Sequence, residues 1–186
     1  MKKILLCIII AAFFIAAKCN KEPLTNATLP PATQEGKNTI GFTINGEVWV
    51  PYYKCKLFGN PCGEISADYN GPPSGPNNIG FGFSRERNNK TSFLVISSAF
   101  ATITSVGNKI DSISVNYNGE NSNSNADSYS GPLPGSKFII TKLDMQNQIM
   151  SGEFEFILNE DNRSGKTIII KEGRFDFKFN ACKCTN

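Results

Sequence analysis

The stretches SGEFEFIL (Ser151–Leu158) and KTIIIKEGRFDFKF (Lys166–Phe179) decide the fold. In the first, Glu153 and Glu155 alternate with Phe154 and Phe156; in the second, Arg174, Asp176 and Lys178 alternate with Phe175, Phe177 and Phe179. Period-two alternation places successive side chains on opposite faces of a pleated strand. Paired, these strands predict a ladder of cross-strand charges on a wet face above a phenylalanine core.

The same signature spreads outward through the chain. TIGFTINGEVWVP (Thr39–Pro51) reads as a hairpin, because Asn45-Gly46 supplies the positive φ angles of a two-residue turn. A second hairpin joins NIGFGFSRE to TSFLVISSAFATI across Arg87-Asn88-Asn89-Lys90, and the apolar run Phe93-Leu94-Val95-Ile96 predicts a strand buried on both faces or central in its sheet. SISVNY alternates Ile113, Val115 and Tyr117 to one side, and KFIITKLD supplies a further strand. No segment carries a helical stripe, and no repeat of solenoid period is present. The expected fold is all-β: a single antiparallel β-sandwich or barrel-like domain over residues 38–180. Two long polar stretches, 60–78 and 118–136, read as loops.

Ahead of this domain, Lys2 and Lys3 precede an apolar run from Ile4 to Ala17, the layout of an export signal over residues 1–18. The run is fourteen residues, short of the roughly 20 that span a bilayer as a helix. Small residues Ala16 and Ala17 before Cys19 suit lipidation of that cysteine, with Lys18 departing from the usual small residue. The competing reading is cleavage after Ala17 to give a secreted chain. Residues 19–37, rich in Pro, Thr and Asn, read as a flexible tether. Asn20-Lys21-Glu22 resembles the short signals that send some Bacteroidetes lipoproteins to the outer face of the outer membrane.

Removal of residues 1–18 takes three lysines and no acid from 19 basic and 16 acidic residues, leaving 16 of each. A neutral mature chain lacks the electrostatic footprint of a nucleic-acid partner. The chain contains no histidine, so Ser-His-Asp and Cys-His systems and the commonest metal ligand are excluded. No phosphate-cradling glycine motif opens a helix, and no cofactor is expected.

Beyond Cys19, four cysteines remain: Cys55, Cys62, and Cys182 with Cys184 in the tail 181–186. In an exported chain four cysteines suggest two bridges and allow three connectivities. A direct Cys182–Cys184 bond would close a very tight ring, so bridges crossing from the tail to Cys55 and Cys62 are preferred. A four-thiolate zinc site is disfavoured by the spacings.

Three further patterns carry chemistry. Glu153, Glu155 and Asp176 are the carboxylates a glycosidase would need, against the charge-ladder reading. Asn121, Asn123, Asn125 and Asp127 alternate as in a calcium loop, but bring one carboxylate among amides, a poor set for a hard dication. Trp49, Tyr52 and Tyr53 offer aromatic rings for stacking on sugar, although a lone Trp in a strand is usually core. Asp111-Ser112-Ile113 matches a short O-glycan acceptor pattern of Bacteroidetes exported proteins.

The segments LPPATQEGKNTIGFTINGEVWVP (Leu29–Pro51), IMSGEFEF (Ile149–Phe156) and EGRFDFKF (Glu172–Phe179) resemble a family of Bacteroidetes lipoproteins with a domain of unknown function. The resemblance implies an envelope lipoprotein of mostly β structure, and brings no activity or site residues. The expectation is therefore a non-enzymatic, lipid-anchored envelope module with a structural or interaction role, its partners the membrane and an envelope protein or glycan. The alternative is an accessory module binding a glycan or another small ligand.

The bridges are checked by alkylating the exported protein under denaturing conditions. Cys55, Cys62, Cys182 and Cys184 should stay unlabelled until reductant is added, and labelling of all four beforehand would show free thiols.

Overall fold

The computed structural model describes residues 27–52, 64–70, 78–98, 106–107, 112–120, 127–161, 164–179 and 181–183. Among them there is no helix; strands form one antiparallel sheet curled into a half-barrel. The all-β expectation holds.

The strands are β1 (Thr39–Ile44), β2 (Glu47–Trp49), β3 (Ile65–Asn70), β4 (Asn78–Arg87), β5 (Lys90–Ser98), β6 (Ser114–Asn118), β7 (Ser128–Gly131), β8 (Lys137–Asp144), β9 (Ile149–Glu160), β10 (Thr167–Lys178) and β11 (Ala181–Lys183). Their order across the sheet is β11-β3-β4-β5-β6-β7-β9-β10-β1-β2, and β8 lies beside β9. Strand β9 is the junction. One edge pairs with β10 along most of its length, while the other takes β8 against Ile149–Glu155 and β7 against Asn159 and Glu160.

Turn chemistry explains the hairpins. Asn45 and Gly46 adopt φ of 51° and 84° between β1 and β2, and Asn88 and Asn89 adopt 51° and 59° between β4 and β5. Asn tolerates this left-handed region better than other non-glycine residues, and it suits the right-handed twist of the strands being joined.

Curling brings the two halves of the strand order together around an aromatic core. Phe81 on β4 lies 5.1 Å from Phe175 and 5.4 Å from Phe177 on β10, ring centre to ring centre, and Phe83 lies 5.4 Å from Phe177. Phe138 of β8 stacks on Phe175 at 5.6 Å, and Phe154 on Phe156 at 5.0 Å. Burial of each ring removes apolar surface from water, and offset or tilted pairs add to this. The curl is tied at one seam by backbone: the Tyr52 amide donates to the Ser84 carbonyl at 3.0 Å and the Glu86 amide to the Tyr52 carbonyl at 2.6 Å.

Strand β10 faces a parity problem. Ile168 and Ile170 point inward at even positions, Phe175 and Phe177 at odd ones, and all four are buried. One extra residue resolves it: Ile170 pairs with Phe156 and Gly173 with Phe154, so β10 bulges at Lys171-Glu172, with Glu172 at φ 53°. The same bulge shifts the register with β1 between Gly41 and Thr43.

Several expectations need correction. The stretch 60–78, read as a loop, contains β3, and 118–136 contains β7. Leu94 and Ile96 are buried but Phe93 is 36% exposed, so β5 has one wet face. The tail is not separate from the domain: β11 pairs with β3, placing Cys182 opposite Ser66 along the backbone. Finally, Asp176 stands on the wet face by parity yet is 1% exposed.

Gly173 is required by packing. A Cβ there would press into the Phe154 ring and lie 2.6 Å from the Phe154 carbonyl. Gly173→Ala should destabilise the domain by about 1–3 kcal/mol, read from urea unfolding followed by emission of the chain's one tryptophan, Trp49.

Candidate functional site

The cover over Asp176 comes from the segment expected to be flexible tether. Residues 33–37 cross the outer face of β8, β9 and β10 and turn their donors onto this one carboxylate. The Thr33 hydroxyl donates to Oδ2 at 2.6 Å, the Glu35 and Lys37 amides to Oδ2 at 3.0 and 3.2 Å, and the Gly36 amide to Oδ1 at 2.8 Å. The fifth bond comes from the neighbouring strand, where Ser151 stands opposite Asp176 in the register and its hydroxyl donates to Oδ1 at 2.7 Å.

The local sequence is built for this. Gly36 takes φ 72°, and a Cβ there would fall 2.8 Å from Lys178 Cγ. Asn38 takes φ 55° and accepts a bond from the Lys178 amide at 2.9 Å before β1 begins. Pro30 sits over Gly41, where any Cβ would collide with its ring. Lys142 Nζ donates to the Gln34 carbonyl at 2.9 Å. The expected tether boundary at residue 37 is therefore corrected: from about Leu29 onward the chain is a strap laid on the sheet.

Burial alone would raise the Asp176 pKa. The hydrogen bonds from Thr33, Ser151 and the Glu35 and Gly36 amides outweigh it and hold the carboxyl at about 2.

Next to the strap lies a groove of about 360 Å³. Glu153 and Glu155 of β9 form its floor, with Lys137 and Ile139 of β8 on one flank, the bulge residues Glu172 and Arg174 on the other, and Ala32 of the strap closing one end. Lys137 pairs with Glu155 at 3.8 Å, and Arg174 stands opposite Glu153 in the register. A smaller cavity of about 170 Å³ continues beneath Pro31–Gln34. Of the charge ladder expected of β9 and β10, only Arg174 opposite Glu153 is in place: Glu155 pairs with Lys137 of β8 instead, and Asp176 is withdrawn. Among the described residues no group of His, Cys, Asp or Glu is arranged to hold a metal.

The aromatic platform is overturned at its centre. Trp49 is fully buried: its ring stacks on Phe42 at 4.7 Å, its Nε1 donates to the Ser92 hydroxyl at 3.1 Å, and the Arg85 guanidinium lies 5.5 Å from its ring centre. A ring with no surface exposed cannot stack on sugar. Tyr52 is half-buried at the seam with β4. Tyr53, Cys19, Cys55, Cys62, Cys184, Asp111 and Asn121, Asn123 and Asn125 lie outside the described residues.

Sequence reasoning missed Arg85, 8% exposed and paired with Glu120 at 3.3 Å and Glu47 at 3.8 Å. The signal was there: Ile79, Phe81, Phe83 and Arg85 share one parity, which sends the arginine inward. Close by, burial pushes the Tyr117 hydroxyl up to about 12 against the opposing Arg85 charge. Asp176 carried no comparable signal.

Compared with known proteins, the chain matches no family model, no curated protein and no solved structure.

Because the folded Asp176 value lies below the ordinary 3.8, the unfolded chain takes up the proton first as pH falls. Its stabilisation is complete above about pH 5 and is lost between roughly pH 4 and 2, amounting to about 2 kcal/mol. Urea unfolding across this range should show that decline, and Asp176→Asn should remove it while lowering stability at pH 7.

Proposed function

We propose that this chain is a non-catalytic cell-envelope module, exported and anchored through a lipid on Cys19, whose β domain holds a partner outside the cytosol. The observation that carries this reading is the strap. A domain attached through its N terminus passes every pull into its first strand, and unprotected strand ends fray easily. Here the pull meets Asp176 and its donors before it reaches Thr39 of β1. The resemblance of Leu29–Pro51, Ile149–Phe156 and Glu172–Phe179 to envelope lipoproteins points the same way.

The carboxylates support a non-catalytic reading. Glu153 and Glu155 are exposed neighbours on one strand face, and Glu155 is paired with Lys137, whereas glycosidase acids flank a cleft from opposite sides. Asp176 is buried and committed to five hydrogen bonds.

The groove favours a second reading, a module for a glycan or another small ligand, since its volume falls in the range of ligand sites. With Trp49 in the core, such a ligand would be held by Lys137, Arg174 and the glutamates. A glycan array should then show binding that Arg174→Ala weakens.

The anchor is tested by mass spectrometry of the mature N terminus and by membrane partitioning. Acylated Cys19 is expected, and Cys19→Ser should move the protein from membrane to soluble fraction. An unmodified terminus at residue 18 or 19 would defeat the anchor.

A further inference from the structure

We propose that residues 29–37 are a clasp that docks on and releases from the half-barrel separately from its folding, and that the docked clasp completes the groove. Three observations meet here. The hydrophobic core contains no residue of the strap: its first member is Ile40, within β1. The strap adds no strand to the sheet, which is complete from Thr39 onward. And its attachment is concentrated, because four of the five hydrogen bonds on Asp176 come from residues 33–37. The other contacts are made at the surface and include Leu29 and Pro30 over Gly41, Gln34 with Lys142 and Thr141, and Gly36 against Ile149 and Lys178. Elements with little apolar burial open at lower free energy than the core beside them.

Release has a structural consequence at the groove. Ala32 closes one end of the larger cavity, and Pro31–Gln34 roof the smaller one above Gly152, Glu153 and Arg174. Undocking would remove that wall and roof and bare Ser151, Asp176 and Ile149 as one open strip. Occupancy of the groove and docking of the clasp are then linked, each favouring the other when a ligand touches the strap wall. Tension along the N-terminal segment opposes both. Only the source of that tension rests on the proposed anchor; the clasp itself does not.

The test is native-state amide hydrogen exchange, read by NMR on the mature chain carrying Cys19→Ser, so that no lipid enters the result. In this otherwise unaltered protein the amides of Glu35, Gly36 and Lys37 should exchange at least ten-fold faster than those of paired residues in β9 and β10, with little dependence on dilute urea. In Asp176→Asn the strap amides should approach free-peptide rates while β9 and β10 remain protected, their exchange faster only by the fall in global stability, and Trp49 keeps its emission. The amide shifts of Glu153, Glu155 and Gly173 should move with them. Strap and sheet amides exchanging together, with the same urea dependence, would overturn the clasp, as would unchanged strap protection in Asp176→Asn. Unmoved groove shifts beside a released strap would overturn its link to the groove. Should Asp176→Asn not fold, the parent exchange pattern decides the question.

Discussion

A carboxylate shut away from water must have its lone pairs met by donors, and Asp176 imposes that demand on the N-terminal side of this domain. Leaving such a charge unpaired costs on the order of several kcal/mol, a large share of a typical domain's net stability. Ser151 can satisfy only part of the demand from within the sheet. Thr33, Glu35, Gly36 and Lys37 supply the rest, so residues with no apolar reason to fold are nonetheless ordered. The interaction gives direction as well as stability. Three consecutive backbone amides converge on one anionic group, which fixes the path of the chain as it enters β1.

The bulge at Lys171-Glu172 serves both the core and the groove. By absorbing one residue it lets Ile168, Ile170, Phe175 and Phe177 all face inward. On the other face the same extra residue turns Glu172 and Arg174 toward the floor formed by Glu153 and Glu155. Bulges recur beside binding sites because they re-aim side chains without breaking the sheet. Gly173 makes this possible, since Phe154 packs where its side chain would stand.

Much of the architecture was legible because it follows from local rules. Alternation exposed β1, β6, β9 and β10, an apolar run exposed β5, and Asn-Gly and Asn-Asn turns exposed two hairpins. What escaped was set by contacts distant in sequence. Asp176 shares its parity with Arg174 and Lys178, and only the strap, about 140 residues away, removes it from water. The strap itself lacks apolar periodicity, so composition reads it as linker although hydrogen bonds order it. Strand β3 was missed although Ile65, Ala67 and Tyr69 alternate with Ser66, Asp68 and Asn70, because the Gly, Pro and Asn residues around it read as loop. Trp49 shows the opposite case: its strand already implied burial, and the nearby tyrosines invited a surface reading that the stacking of Phe42 and Arg85 rules out.

The strap also changes what an anchor at Cys19 would do. If every residue to Asn38 were free, the domain could stand off by up to roughly 65 Å, taking about 3.5 Å per extended residue. With Pro30 already seated on Gly41, only ten residues, 20–29, separate Cys19 from Pro30. The reach falls to at most roughly 40 Å. The groove lies against that same strap, so an anchor at Cys19 would confine it to the membrane-proximal zone instead of letting it sample a wide volume. A partner held there would meet the domain near the bilayer surface, and a pull that lifted the domain away would act first on Asp176. With the proposed anchor in place, spacing from the membrane and integrity of the groove would both depend on the one buried carboxylate that ties this polar segment to the sheet.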